Sequence, residues 1–207
     1  RVVLTVDLAA EDGQLDVLSP ALQCLEDAAA QTHAARLIVF NGAYRPELSD
    51  LDRLPSGVAV TSLSEELAAG AADVLSAISG EGQGADDAVV ALNAALMQDG
   101  VVVRVAPGAQ VERPLAIVNL MSGGSAHSSF VRSLVLVGDG ASISVTETTA
   151  ACDPAATQTN EALVLKIGRN CKVDYVSRVT LQGDGAIALN SVLATLDEGS
   201  ELNGFAF

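Results

Sequence analysis

Val105-Ala-Pro-Gly108-Ala-Gln-Val111 and Val137-Gly-Asp-Gly140-Ala-Ser-Ile143 are two versions of one phrase. It returns as Ile167-Gly-Arg-Asn170-Cys-Lys-Val173 and as Leu196-Asp-Glu-Gly199-Ser-Glu-Leu202. Each reads apolar residue, two positions, Gly or Asn, two positions, apolar residue. The central positions lie 32, 30 and 29 residues apart. Repetition at such a period marks a solenoid, in which each unit buries its apolar face by stacking on the next. The central residue always accepts positive φ cheaply, so each phrase is read as a turn between two strands.

Working outward, short apolar runs flank these turns: Val101-Val-Val103, Leu115-Ala-Ile117, Leu134-Val-Leu136, Ile143-Ser-Val145, Leu163-Val-Leu165, Val173-Asp-Tyr175 and Leu193-Ala-Thr195. Several are apolar on both faces, as strands buried between layers are. Short strands at even spacing also fit a sandwich or barrel. The recurring turn favours a right-handed parallel β-helix over residues 99–207, and leaves open whether each interval is one broad coil or two narrow ones.

The first 98 residues have a helical rhythm and form a small α/β region. Ser19-Pro20 starts a helix through Leu22, Leu25 and Ala29 to about Ala35. Asn41-Gly42, between Leu37-Ile-Val-Phe40 and Ala43-Tyr44-Arg45, predicts a type I′ hairpin, with Pro46 marking an edge. Ser62 and Glu65 have capping-box spacing and open a helix through Leu67, Val74 and Ile78. Gly80-Glu-Gly82-Gln-Gly84 breaks it. Asp86 starts another helix with Val89, Leu92, Leu96 and Met97 on its apolar side, ending at Gly100.

Composition narrows the function. A formal charge of −15 argues against nucleic acid or anionic membrane as a partner, because both need a basic face. Aromatic residues are 3% and Trp is absent, so the core is built from Val, Leu, Ile and Ala. No apolar run approaches the roughly 20 residues that span a bilayer, and no signal peptide is visible. Three scattered cysteines suit a reducing compartment, so a cytoplasmic protein is expected. The missing initiator Met, and a stop at Phe207 just past the fourth turn, give the expectation of a fragment of a longer chain. Its open end is expected to self-associate.

Leu37-Ile-Val-Phe-Asn-Gly-Ala-Tyr-Arg-Pro-Glu-Leu-Ser49 resembles a segment of the SufB/SufD family of the SUF iron–sulfur cluster assembly system. So does Ala91-Leu-Asn-Ala-Ala-Leu-Met-Gln-Asp-Gly-Val-Val-Val103 with Val111-Glu-Arg-Pro-Leu115, and Arg132-Ser-Leu-Val-Leu-Val-Gly-Asp-Gly140 with Val145-Thr-Glu147. The Asp-Gly-Val-Val-Val and Arg-Ser-Leu-Val wording leans towards the SufD side. The resemblance implies a non-enzymatic scaffold that pairs with a SufB-like β-helix partner and, through a downstream helical region, with a SufC-like ATPase. It implies no catalytic residue, no metal ligand and no resident cofactor on this fragment; an iron–sulfur cluster passes only transiently through the full complex.

The remaining candidates are weighed on their spacing. Cys24, Cys152 and Cys171 lack the C-x₂-C pattern of cluster ligands. Cys24 is read as helix core, Cys171 as a small residue facing inward, and Cys152 as a loop cysteine. For Cys152 the resemblance adds a sulfur-handling alternative. His33 and His127 have no partner at metal-ligand spacing. Gly138-Asp139-Gly140 suggests a calcium turn, but Arg169 at the matching position of the next phrase favours a structural one. Gly123-Gly124-Ser125 lacks the Lys of a phosphate-binding loop. A polysaccharide-active β-helix enzyme, with Glu147, Asp174 and Asp197 as acids, is the competing function, and an adhesive solenoid a third.

Overall fold

The computed structural model describes residues 35–79, 86–121, 127–151, 157–180 and 186–207. In it the four turn phrases lie directly on one another. Gly108, Gly140, Asn170 and Gly199 have φ of 72°, 73°, 55° and 74°. Gly108 N donates to Asp139 O at 2.8 Å, Gly140 N to Arg169 O at 2.8 Å, and Asn170 N to Glu198 O at 3.0 Å. The left-handed conformation turns the chain, and the freed amide bonds the corner beneath.

Strands on either side of each corner fall into two different sheets. From β4 (Val101–Val105) onward the chain alternates between them: β5 (Leu115–Met121), β6 (His127–Val137), β7 (Ser142–Ala151), β8 (Thr157–Ile167), β9 (Lys172–Thr180), β10 (Ile187–Leu196) and β11 (Glu201–Ala206). With β1 (Ala35–Phe40), β2 (Ala43–Tyr44) and β3 (Val58–Ser62), the orders are β11-β9-β7-β5-β1-β2 and β10-β8-β6-β4-β3. Each 29–32-residue interval therefore holds one strand per sheet. The pairing is parallel and in register, His127 opposite Thr157 and Ser142 opposite Lys172, except for the hairpin β1–β2 and the pair β3–β4. The fold is mainly β with two mostly parallel sheets that do not close into a solenoid; the expected right-handed β-helix is a finer statement than these sheets make.

The drop from a 32- to a 30-residue interval has a local cause. Gln110 bridges Ser142, and Leu115 pairs with Val145. Glu112, Arg113 and Pro114 lie in the longer of these two stretches, and Pro114 has no N–H to give the ladder. Its carbonyl instead accepts from Ala35 N at 3.1 Å, which starts β1 beside β5.

Alternation along the strands creates three apolar layers. Inward residues such as Leu37, Val103, Ile117, Val135, Val145, Leu165 and Val173 fill the space between the sheets. Outside the six-stranded sheet, Ile38, Phe40, Val118 and Leu120 pack with Leu48 of a 3₁₀ turn, Pro46–Leu48. Outside the five-stranded sheet, Val102, Leu134 and Val164 meet Leu63, Val74 and Ala77 from α1 (Leu63–Ala69) and α2 (Ala72–Ser79). Full burial of each Leu or Val contributes roughly 1.5–3 kcal/mol.

The N-terminal expectations are met in some parts and corrected in others. Asn41 and Gly42 have φ of 49° and 86°, the type I′ pair, and β2 is an edge strand. The helix expected from Ser19 falls outside the described residues, except that Ala35 opens β1. So does the Gly80–Gly84 break. Ser62 caps as read, its Oγ accepting from Glu65 N at 3.3 Å. The single helix through Leu67, Val74 and Ile78 is two, because Gly70 adopts φ 69° and ends the first turn run. The helix assigned to Asp86 is α3 (Ala88–Leu96), capped by Asp87, whose Oδ1 accepts from Val89 N and Val90 N.

The buried side of α3 also differs from expectation. Leu92 and Leu96 are 41% and 46% exposed, while Val90 and Asn93 are buried. Hydrogen bonds decide this face. Asn93 Nδ2 donates to Val131 O at 2.8 Å and Asn160 O at 2.9 Å, and Arg132 Nε donates to Asn93 Oδ1 at 2.9 Å. Burying these polar groups unpaired would cost more than the exposed leucines lose.

Corner geometry separates two glycines of one turn. A Cβ on Gly140 meets nothing within 4 Å, whereas one on Gly138 lands 2.6 Å from Pro107 N in the corner below. Gly140→Ala is therefore expected to cost about 1–2 kcal/mol through φ alone, and Gly138→Ala clearly more, by urea denaturation. Equal losses would mean that the corners are not in contact. The edges of β10 and β11 carry Ile187, Val192, Phe205 and Phe207, 44–66% exposed. Unpaired apolar edges recruit other strands, so the apparent mass of this polypeptide in light scattering should rise with concentration. A monodisperse monomer throughout would contradict it.

Candidate functional site

Between the sheets, apolar residues near the stacked corners give way to polar ones towards the other strand ends. Along the inward row of β7, Ile143 and Val145 are followed by Glu147 and Thr149. On β5, Leu115 and Ile117 are followed by Asn119. Along β8 the inward row runs Thr159, Glu161, Leu163, Leu165, Ile167, and β9 contributes Tyr175. The register sets Ile117 beside Glu147 and Asn119 beside Thr149, so the polar side chains collect at one level.

Two carboxyl groups form the centre. Glu147 and Glu161 are 4% and 3% exposed. Asn119 Nδ2 lies between them, 3.3 Å from Glu147 Oε1 and 2.8 Å from Glu161 Oε2. Tyr175 donates its hydroxyl to Glu147 Oε2 at 2.6 Å, and Thr149 donates to Glu161 Oε2 at 2.5 Å. Asn190 Nδ2 of β10 approaches Glu161 Oε2 to 3.5 Å, a long contact. Asn119 Oδ1 and Thr159 Oγ1 are buried without a hydrogen-bond partner among the described residues.

Burial dominates the electrostatics. Loss of water raises the proton affinity of Glu147, against the hydrogen bonds from Tyr175 and Asn119. The Glu161 carboxyl is pushed up to about 8, first by burial and then by the charge of Glu147, against hydrogen bonds from Thr149 and Asn119. The Tyr175 phenol is raised by burial and by the same neighbour. Two buried carboxyls bridged by one amide titrate together, and ionising both at once is disfavoured.

A separate cavity of about 690 Å³ opens on the outer surface among Val58, Asp73, Arg104, Pro107, Gly138 and Lys166. Its Arg104 is committed to structure, reaching Glu66 Oε1 and Asp73 Oδ2 at 2.7 Å and tying α1 and α2 to β4.

Other residues singled out in the sequence are scattered. Cys24, His33, Cys152 and Gly123–Ser125 lie outside the described residues, and so does the side chain of His127. Cys171 is buried in its corner, with Sγ 3.2 Å from Gly138 O. Asp139 accepts from Arg169 N, Nε and NH2 at 2.7–3.0 Å, so an arginine fills the turn where calcium would sit. Glu147 is interior, Asp174 is exposed and accepts from Asn203 at 3.0 Å, and Asp197 is at a corner; these three form no common site. Among the described residues no three His, Cys, Asp or Glu side chains group as metal ligands. Glu161, Asn119, Thr149 and Tyr175 escaped the sequence reading, although the period-2 row Thr159, Glu161, Leu163, Leu165 marks Glu161 as inward.

Residues 23–117 match the family model of the SufBD protein N-terminal region. The match supports the SufB/SufD family and suggests involvement in iron–sulfur cluster assembly, without distinguishing SufD from SufB. No curated protein matches the chain. Among the described residues no helix is long and apolar enough to cross a membrane.

The raised proton affinity of Glu161 sets the sign of a pH effect. Unfolded, Glu161 ionises near 4.5; folded, it holds its proton to about 8. The folded state thus binds more protons between these values, and stability falls as pH rises through the window. At about 1.4 kcal/mol per tenfold change in proton affinity, the fall from pH 5 to pH 8 is expected to reach about 2–4 kcal/mol. Glu161→Gln should flatten it and raise stability at pH 8. A wild-type profile that is level or rising from pH 5 to pH 8 would contradict the buried proton on Glu161.

Proposed function

We propose that this chain is a SufD-like, non-catalytic scaffold component of a SufB–SufC–SufD iron–sulfur cluster assembly complex. The observation that carries the reading is the SufBD N-terminal match over residues 23–117, which runs through the hairpin and α1–α3 into β5. The strands that follow continue both sheets in unbroken parallel register. In this reading the two sheets are the faces of a right-handed parallel β-helix, and residues 1–98 form its helical and hairpin cap.

SufD rather than SufB rests on the phrases Asp99-Gly-Val-Val-Val103 and Arg132-Ser-Leu-Val135. The partners are a SufB-like β-helix protein and a SufC-like ATPase, bound by the full-length protein in the cytoplasm. The iron–sulfur cluster is the product of that assembly and not a group resident in this fragment. Cys171 is buried in its corner with its thiol turned to a backbone carbonyl, away from any cluster at the surface.

Affinity purification of the full-length protein from its native cells tests the assignment. A SufB-like and a SufC-like protein are expected to co-purify in fixed ratio. Recovery of the protein alone, under salt mild enough to keep weak complexes, would overturn the scaffold role.

A further inference from the structure

We propose that Glu147, Glu161, Asn119 and Thr149 form an interior site for one hard divalent cation, held by oxygen atoms from β5, β7 and β8. This goes beyond the scaffold reading and does not depend on it. Three observations converge. First, both carboxyls are turned into the space between the sheets, and neither takes part in the ion pairs formed by Lys or Arg among the described residues. Secondly, one neutral amide nitrogen, Asn119 Nδ2, spans the gap between them at 3.3 and 2.8 Å. Thirdly, Asn119 is 2% exposed and its Oδ1 has no partner, and Thr159, two residues before Glu161 on the same inward row, is 0% exposed with an unpartnered Oγ1.

An orphaned acceptor beside two acids is a poor end state for a purely structural network, since each buried unsatisfied group costs about 1–3 kcal/mol. Turning the Asn119 amide by half a revolution exchanges its nitrogen and oxygen. Oδ1 then faces the same point as the two carboxylates and Thr149 Oγ1, and a cation there replaces the two bonds that Nδ2 gives up. The donors are all oxygen, which selects Mg²⁺, Ca²⁺, Mn²⁺ or similar ions over metals that prefer thiolate or imidazole. Binding displaces any proton the pair holds: the carboxyl O–H bond breaks, the proton leaves to solvent, and the carboxylate oxygen takes the cation.

The test uses Mn²⁺ as the probe, with the purified polypeptide freed of metals by chelation. Loss of the free-ion electron paramagnetic resonance signal gives stoichiometry and affinity. Calorimetry in two buffers of different ionisation heat gives proton release. Saturable binding of one Mn²⁺ per chain with proton release at pH 7, weakened roughly tenfold or more in Glu161→Gln, supports the site. The control Asp174→Asn, on the exposed surface, should leave it unchanged. Asn119→Asp, which adds a carboxylate at the same place, should tighten binding and so keeps the proposal testable if Glu161→Gln folds poorly. Absence of saturable binding up to about 10⁻³ M, where weak calcium sites are filled, overturns the proposal. So does binding indifferent to Glu161→Gln and Asn119→Asp, which would place the ion on the acidic surface.

Discussion

Backbone hydrogen bonds from corner to corner constrain everything built between them. Gly108 N to Asp139 O, Gly140 N to Arg169 O and Asn170 N to Glu198 O hold successive turns at 2.8–3.0 Å. Each bond contributes only about 1 kcal/mol net. Their weight lies in register, because side chains alternate with period 2 and a one-residue slip would turn every inward residue outward. The insertion at Glu112–Pro114 shows how the constraint is kept: extra residues are accommodated between a corner and its strand, and the strands beyond it resume parallel pairing.

Fixed register also explains why two glutamates can be held indoors. Glu147 and Glu161 cannot swing to water without taking β7 and β8 with them, so their charge is regulated by burial and by Asn119, Thr149 and Tyr175. Asp99 makes a useful contrast. Its Oδ2 accepts from Tyr44 N at 2.9 Å, and its Oδ1 accepts from Ser62 Oγ at 2.9 Å and Ser64 N at 3.0 Å. Those donors belong to both sheets, so Asp99 is a clamp whose carboxylate is fully used. The glutamate pair divides Asn119, Tyr175, Thr149 and a long contact from Asn190 between two acids, and has a spare acceptor beside it. Satisfied carboxylates stabilise; an under-satisfied pair points to something further.

The sequence made the corners legible because positive φ restricts residue choice to Gly or Asn, and stacking forces the choice to recur at a set interval. The hairpin at Asn41-Gly42 and the Ser62 cap were legible for the same reason, being short-range backbone chemistry. The apolar side of α3 was not. Leu92 and Leu96 have the right spacing for a core face, yet Asn93, Arg132 and Asn160 take the contact through bonds spanning 38 to 67 residues, which local periodicity cannot sense. The polar interior was hidden likewise. Glu147 was visible as an acid, but its partners Asn119 and Tyr175 come from strands 28 residues away in sequence, and only the register unites them.

The position of Asn190 links the interior to the edge. It sits on β10, the unpaired edge of the five-stranded sheet, with its amide 3.5 Å from Glu161 Oε2. Any strand paired onto β10 would cover Asn190 and bury Glu161 further. Deeper burial raises the cost of a negative charge there, so such pairing favours the neutral or the cation-filled pair. By reciprocity, the charge state of the pair biases docking.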